Sequence, residues 1–420
     1  MADKYLSRIC DSLLFRQLAS SGAVLIEGAK WCGKTSSARQ VAKSVLYMQD
    51  PDRSQAYLKM AETMPSRLLL GDNPRLLDEW QMAPVLWDAV RFDVDKRSER
   101  GLYILTGSAV PKDGVTAHTG TGRISRMLMR PMSLFESKES NGSVSLAKLF
   151  AGETDVIAES TLTIPELAKI ICRGGWPEAV KNGDSDSLVA RNYVDAVINM
   201  DIQRVDDVER NPARVRQFLR SYARNISTMV PLTTILADVH SNDIGFSDTT
   251  MYSYVNALRR IFVIEDIPAW KPSLRSKTAI RTSDKRQFVD PSIAAALMHA
   301  NIDSILNDMN YFGFLFESLA ARDLRVYAQA LDGDIFHYHD KNELEADLVI
   351  RLHDGRWAPV EVKLGSREIE IAAANLIKLQ NKIDTDKAGQ PSFKMVLTGG
   401  QFAYKRQDGV IVVPIACLKA

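Results

Sequence analysis

The chain has 420 residues and a mass of 46.8 kDa, enough for about two to four ordinary domains. Its 53 Lys and Arg against 52 Asp and Glu leave a formal charge of +1, which argues against a uniformly basic nucleic-acid coat and an acidic disordered solubiliser. Hydrophobic residues at 45% and charged residues at 25% match globular usage, so a packed core can form. Cys10, Cys32, Cys172 and Cys417 lack paired spacing, against a disulfide framework or zinc ribbon. No apolar run reaches the roughly 18 residues of a membrane span, and Met1-Ala2-Asp3-Lys4-Tyr5 shows no signal-peptide core. These features predict a soluble, reduced, cytoplasmic protein that makes no membrane contact.

From 1 to 155, short apolar runs alternate with helix-like stretches, the pattern of a parallel α/β sheet. Ala23-Val24-Leu25-Ile26 precedes Gly28-Ala29-Lys30-Trp31-Cys32-Gly33-Lys34-Thr35, which satisfies G-x-x-x-x-G-K-[ST] without mismatch and leads through Ser36 into a helix-like stretch. Such a loop curls backbone N–H groups around phosphate oxygens, with Lys34 reaching the terminal phosphates and the Thr35 hydroxyl on Mg²⁺. Arg75-Leu76-Leu77-Asp78-Glu79 reads as a neighbouring buried strand ending in two acids. Asp78 would hold the Mg²⁺ water shell and Glu79 would orient and deprotonate the attacking water; alternatively the acids cap the next helix. Leu105-Thr106-Gly107-Ser108 ends another core strand, where Ser108, and after it Thr106, is placed to contact the γ-phosphate or the lytic water. A Gly/Thr-rich stretch from 114 to 122 reads as a loop, followed by Arg123, Arg126 and Arg130, any of which could serve as an arginine finger on a neighbour's nucleotide or simply be solvated.

From 156 to 270 the chain reads as mostly helical. Thr163-Ile164-Pro165-Glu166 has the form of a capped helix start. A helix from Leu232 to His240, a cap at Ser247, the apolar face Met251, Tyr254, Val255 and Leu258, and the strand-like Phe262-Val263-Ile264 suggest a winged helix; a plain helical bundle is the other reading. Arg216, Arg220 and Arg224 make a basic stripe that could track phosphates or pair with Asp206, Asp207 and Glu209.

From 271 to 420 strands return, in the order helix, three strands, helix, strand. Asp347 with Glu361-Val362-Lys363 has the spacing of a D…[DE]-x-K metal-nuclease core, in which two carboxylates hold Mg²⁺ and a lysine positions water. Glu361 and Lys363 share a strand face. A three-residue loop at His353-Asp354-Gly355 would set Asp347 opposite Glu361, whereas a two-residue Asp354-Gly355 turn would set it opposite Val362 and disperse the cluster. Glu317, on a helix-like run, is where such folds add another acid. The other reading is a salt-bridged pair on a sheet face. His337 and His339 alternate on one strand and read as exposed or half-buried rather than metal-binding.

These landmarks resemble a family of prokaryotic AAA-like P-loop ATPases that carry a conserved, restriction-nuclease-like C-terminal domain of unknown function. The resemblance rests on residues 28–35, Leu77-Asp78-Glu79-Trp80-Gln81, Leu105-Thr106-Gly107-Ser108, Gly122-Arg123, Gly174-Gly175-Trp176-Pro177-Glu178, Phe316-Glu317, Glu345-Ala346-Asp347 and Glu361-Val362-Lys363, which run nearly the length of the chain. Ala29-Lys30 and Trp31-Cys32 depart from the family's usual Pro-Arg and smaller residues, and Ala346 stands for the proline of the usual Pro-Asp. The resemblance implies ATP as the nucleotide and favours Arg123 as the finger. The expected plan is a P-loop ATPase domain at 1–155, a helical and winged-helix connector at 156–270 and a nuclease-like α/β domain at 271–420. Mg²⁺ is the expected cofactor, and DNA and a second copy of the chain are candidate partners.

Overall fold

Alternate residues of the N-terminal strands part onto two faces. On one side Ala23, Leu25, Leu46, Leu77, Tyr103 and Leu105 pack with Trp80, Trp87 and Val90; on the other Val24, Ile26, Leu76 and Ile104 pack with Leu13, Leu14, Leu18 and Ala38. A sheet buried on both faces is what all-parallel pairing requires. In this computed structural model, which describes residues 5–107, 121–183, 187–206, 208–240, 247–272 and 283–420, the strands are β1 (Ala23–Glu27), β2 (Ser44–Tyr47), β3 (Arg75–Asp78), β4 (Tyr103–Thr106) and β5 (Ile124–Leu128). Their order is β2-β3-β4-β1-β5, all parallel. Helices α1 (Cys10–Ser20), α2 (Lys34–Arg39), α3 (Ser54–Thr63) and α4 (Val85–Arg97) belong to this part of the chain. The strand bearing Asp78 is thus not beside the loop-bearing β1, as the sequence suggested; β4 lies between them.

The chain divides into two compact units. One comprises Met1–Arg130 with Met200–Glu209 and Asn256–Val263; the other comprises Pro131–Asn199, Arg210–Val255 and Ile264–Ala420. These do not follow sequence boundaries at 155 and 270, and strand pairing supplies the reason. β6 (Val144–Ser145) precedes α5 (Leu146–Phe150), and β7 (Ile157–Glu159) follows it; both strands pair with partners near the end of the chain. Helices α6 (Ile164–Arg173), α7 (Pro177–Asn182), α8 (Leu188–Ala196), α9 (Pro212–Arg224), α10 (Leu232–His240) and α11 (Asp248–Arg260) follow. Thr163 and Glu166 close the capping box at the start of α6, and Ser247 Oγ accepts from Thr250 N–H at the start of α11. Phe262-Val263-Ile264 is not a strand: Phe262 is left-handed at φ 58°, and the isolated bridges Ile264–Phe288, Ile267–Lys285 and Ala269–His337 follow.

After α12 (Pro291–Leu297) and α13 (Ile302–Asn307), the long α14 (Met309–Ala330) leads into β8 (Gly333–His339), β9 (Glu345–Leu352) and β10 (Trp357–Lys363). Then come α15 (Ile369–Lys382), α16 (Thr385–Ala388), β11 (Met395–Thr398), β12 (Phe402–Lys405), β13 (Ile411–Pro414) and β14 (Leu418–Lys419). The seven-stranded sheet runs β7-β12-β13-β11-β10-β9-β8, and β14 pairs separately with β6. One buried charge group stiffens this unit. Arg322 donates to Asp290 at 3.0 Å and Asp323 at 2.8 Å, while those acids accept from the backbone N–H groups of Gly175 and Leu134. Buried charges persist when paired and fully hydrogen-bonded. Among the described residues no helix is long and apolar enough to cross a membrane.

Candidate functional site

The loop at 28–35 leaves β1 and turns directly into α2. Two of its glycines are required by geometry. A Cβ on Gly28, at φ 145°, would lie 2.1 Å from the carbonyl oxygen of Met129, and Gly33, at φ 103°, caps α2 in a left-handed conformation. Lys34 is buried, and its Nζ donates at 2.8 Å to the carbonyls of both Gly28 and Ala29, so the ammonium lies within the turn of the loop. Ala29 and Cys32 are wholly buried, and Cys32 Sγ donates to the Met129 carbonyl; these two shape the loop from beneath. Trp31 is left-handed at φ 63° and half exposed, and Ser36 is exposed. Two residues that no local pattern marks also brace the loop. Arg8 donates to the Cys32 carbonyl at 2.8 Å and the Arg130 carbonyl at 2.7 Å, and Lys30 is ion-paired with the buried Asp201.

The acids of β3 lie at the same sheet edge. Thr35 Oγ1 donates to Asp78 Oδ1 at 2.7 Å, and Thr106, at the end of β4, donates to the same oxygen at 2.7 Å. Gln49 Nε2 donates to the other carboxylate oxygen at 3.3 Å. Thr106 therefore holds Asp78 rather than reaching forward from its strand. Glu79 sits in a left-handed conformation, φ 56°, a strained geometry for a residue with a side chain. Burial pushes its pKa above the usual carboxylate range, with the Lys34 charge and a hydrogen bond donated by Gln81 opposing. Gln81 Oε1 is buried and has no partner among the described residues.

Ser108 and most of the Gly/Thr-rich stretch lie outside the described residues. Arg123 is half exposed and pairs with Asp95 at 2.6 Å. Arg126 pairs with Glu27 at 2.7 Å and lies over the Trp87 ring. The residues fit a magnesium nucleotide: a glycine cradle that a side chain would fill, a lysine inside it, and the hard oxygens of Thr35 and Asp78 in contact.

A second cluster forms where α14, β9 and β10 meet. The β9–β10 connection is the three-residue loop: Leu352 N–H donates to the Arg356 carbonyl at 2.8 Å, and Gly355 is left-handed at φ 95°. The register pairs Arg351 with Trp357 and Leu348 with Val360, and its continuation sets Asp347 opposite Glu361. Lys363 Nζ lies 3.1 Å from Asp347 Oδ2 and 2.8 Å from Glu361 Oε2, and the Val362 N–H donates to Asp347 Oδ2 at 2.8 Å. Sequence spacing missed a second lysine. Lys285 Nζ donates to Glu317 Oε1 at 2.6 Å and to the Asp347 carbonyl at 3.1 Å.

These groups shift one another. Burial pushes Glu317 up to about 7, and drives Glu361 well above the carboxylate range with help from the Asp347 charge. Asp347 moves the other way: burial works against it, but the Lys285 and Lys363 ammoniums hold its pKa down. Among the described residues no group of three or more His, Cys, Asp or Glu is disposed to hold a metal ion. The cluster does not fit a resident divalent cation, because two ammoniums already stand among its carboxylates and engage Glu317 Oε1, Asp347 Oδ2 and Glu361 Oε2. Glu361 Oε1 is buried without a partner among the described residues.

The strand histidines are buried, contrary to the sequence expectation. His337 Nε2 lies 3.0 Å from the Ser283 carbonyl, and burial, with the Lys285 charge, lowers its pKa to about 4. His339 contacts Glu343 at 3.0 Å. On α9, Arg216 pairs with Asp195 of α8 and Arg224 with Asp238 of α10.

Comparison with known proteins adds three family matches. Residues 20–138 match the model of an AAA domain, 164–304 a domain of unknown function (DUF8612), and 312–418 another domain of unknown function (DUF4143). Among solved structures, the Walker-type ATPase PABY2304 of Pyrococcus abyssi is similar at 16% identity, with 71% of this chain and 97% of that chain covered and a TM-score of 0.43. No curated protein matches in sequence. The AAA match and the geometry of the 28–35 loop together support an AAA-like P-loop ATPase domain in this part of the chain.

Proposed function

We propose that the chain is a cytoplasmic Mg²⁺-dependent ATPase whose nucleotide state controls a DNA-binding or nuclease-like C-terminal module. The observation that carries this reading is the convergence of Lys34, Thr35, Asp78 and Thr106 at one sheet edge, beside a glycine-built phosphate cradle. Thr35 and Asp78 would hold Mg²⁺, which when bound spreads the negative charge of the phosphates. Lys34 would exchange its two loop carbonyls for phosphate oxygens. Glu79, with a raised pKa, is suited to take a proton from the attacking water, and Gln81 orients its carboxylate. A finger role for Arg123 on a neighbouring copy requires it to release Asp95. Calorimetry and turnover test the reading: Lys34→Ala loses ATP affinity, while Glu79→Gln binds ATP and turns over about 10²–10⁴-fold more slowly. Full ATP affinity in Lys34→Ala defeats it.

Two observations support the readings of the rest of the chain. The order α14, β8-β9-β10, α15, β11, with Asp347 opposite Glu361, supports a restriction-nuclease-like domain. Helices α9 to α11 followed by the bridges Ile264–Phe288 and Ile267–Lys285 support a winged helix. ATP-regulated cleavage and a non-catalytic scaffold switched by ATP are the alternatives for the module. Plasmid incubated with Mg²⁺ or Mn²⁺, with and without ATP, separates them.

A further inference from the structure

The C-terminal cluster holds one more cation than an acid-x-lysine pattern supplies, and that cation comes from outside the sheet. Lys285 is held by paired backbone hydrogen bonds with Ile267, each 2.9 Å, so its side chain starts from a fixed point. It is 5% exposed, and its Nζ contacts Glu317 Oε1 at 2.6 Å, the Asp347 carbonyl at 3.1 Å and Asp347 Oδ1 at 3.8 Å. These are oxygens that a hard divalent cation would need, and such a cation takes about six of them. Two further acceptors are engaged as well, Asp347 Oδ2 by Lys363 and the Val362 N–H, and Glu361 Oε2 by Lys363, while Glu361 Oε1 has no partner among the described residues.

Charge leads to the same place. Three buried carboxylates need compensation. Two ammoniums supply two of the three charges, and burial, which raises the pKa of both Glu317 and Glu361, favours one proton on that pair for the third. A dication added to that set would meet two fixed positive charges within a few ångströms.

We infer that the Lys285 ammonium takes the place of a divalent cation among Glu317, Asp347 and Glu361, so that the C-terminal module folds and acts without a bound metal. The inference rests on the nuclease-like reading only for where a metal would otherwise sit. Its consequence is that the module recognises or assembles rather than performing metal-dependent hydrolysis of a phosphodiester. The cluster then serves as an ionic joint between the 283–288 segment, α14, β9 and β10.

The test is a Mn²⁺ titration of the nucleotide-free full chain, with free Mn²⁺ followed by electron paramagnetic resonance. Wild type and Glu361→Gln should give the same isotherm. Lys285→Met should gain a site about tenfold tighter or better, and the double variant Lys285→Met/Glu361→Gln should lose it again. Lys285→Gln, which keeps a donor and drops the charge, is the second variant should the methionine disturb folding by circular dichroism. A stoichiometric wild-type site that Glu361→Gln abolishes overturns the inference, as does folded Lys285→Met or Lys285→Gln with no gain. If neither variant folds, the wild-type and Glu361→Gln pair decides. Plasmid in the same samples separates this from the nuclease reading: a wild-type site without cleavage defeats the inference alone, whereas cleavage that Glu361→Gln abolishes defeats the inference and upholds a nuclease.

Discussion

At the end of β3, Asp78 is held by the neutral hydroxyls of Thr35 and Thr106 and the Gln49 amide, whereas in the C-terminal sheet Asp347 is gripped by two ammoniums and an amide. Both carboxylates are buried at a strand end or strand pair, yet they are prepared for different work. Hydroxyl donors hold a carboxylate in place and leave its charge available to an incoming cation. Ammonium donors neutralise it on the spot. The lysines differ in parallel: Lys34 rests on two carbonyls, which it can exchange for phosphate oxygens, while Lys285 and Lys363 are locked to carboxylates. Acid-and-lysine composition is thus a poor guide to metal chemistry until the donors around each oxygen are known.

Substitution can break this contrast. Asp347→Ala leaves Lys285 and Lys363 short of a buried counter-charge and should lower the unit's unfolding free energy by about 3–5 kcal/mol, read from urea denaturation. Nucleotide affinity should be unchanged in the same variant by calorimetry, so a loss there would couple two sites that the contrast keeps apart. The next effect is a pH dependence. Glu317 has its pKa pushed from 4.5 up to about 7, so between those values the folded chain keeps a proton that the unfolded chain has released. Its contribution is therefore fully present below the lower value and is lost as pH rises through the upper one. Glu317→Gln should flatten the fall in urea midpoint between about pH 4.5 and about pH 7, and an unaltered slope refutes the assignment. The smallest change is expected at the hydroxyl-held site. Thr106→Val removes one of three donors to Asp78 and should lower stability by about 1 kcal/mol, measured in the same denaturation experiment.

What the sequence revealed depended on how far apart the partners lie along the chain. The phosphate loop is contiguous, so its glycines, Lys34 and Thr35 were legible at once. Asp347 and Glu361 were legible up to a choice between two turns, because Asp354-Gly355 suits both and only the backbone at Gly355 decides. Lys285 was not legible: it joins through an isolated bridge to Ile267, and no spacing rule connects it to Glu317. Arg8 and Asp201 escaped for the same reason, since each reaches the loop from a distant segment. The histidines of β8 read as exposed or half-buried because no cysteine or third ligand lies near them in sequence, a local criterion that is blind to the packing that buries His337 and His339.

The pairing of β7 with β12 bears on how the molecule is made. The strands from β1 to β5 find all their neighbours within the first third of the chain, so a nascent polypeptide can complete that sheet early. The C-terminal sheet has no such freedom: residues 157–159 wait, unpaired, until 402–404 have been translated. Non-local pairing of this kind slows folding and leaves a strand edge open meanwhile. Ile157, fully solvent-facing even in the finished protein, sits on that waiting segment and gives a trapping chaperone or an aggregate an apolar handle during synthesis.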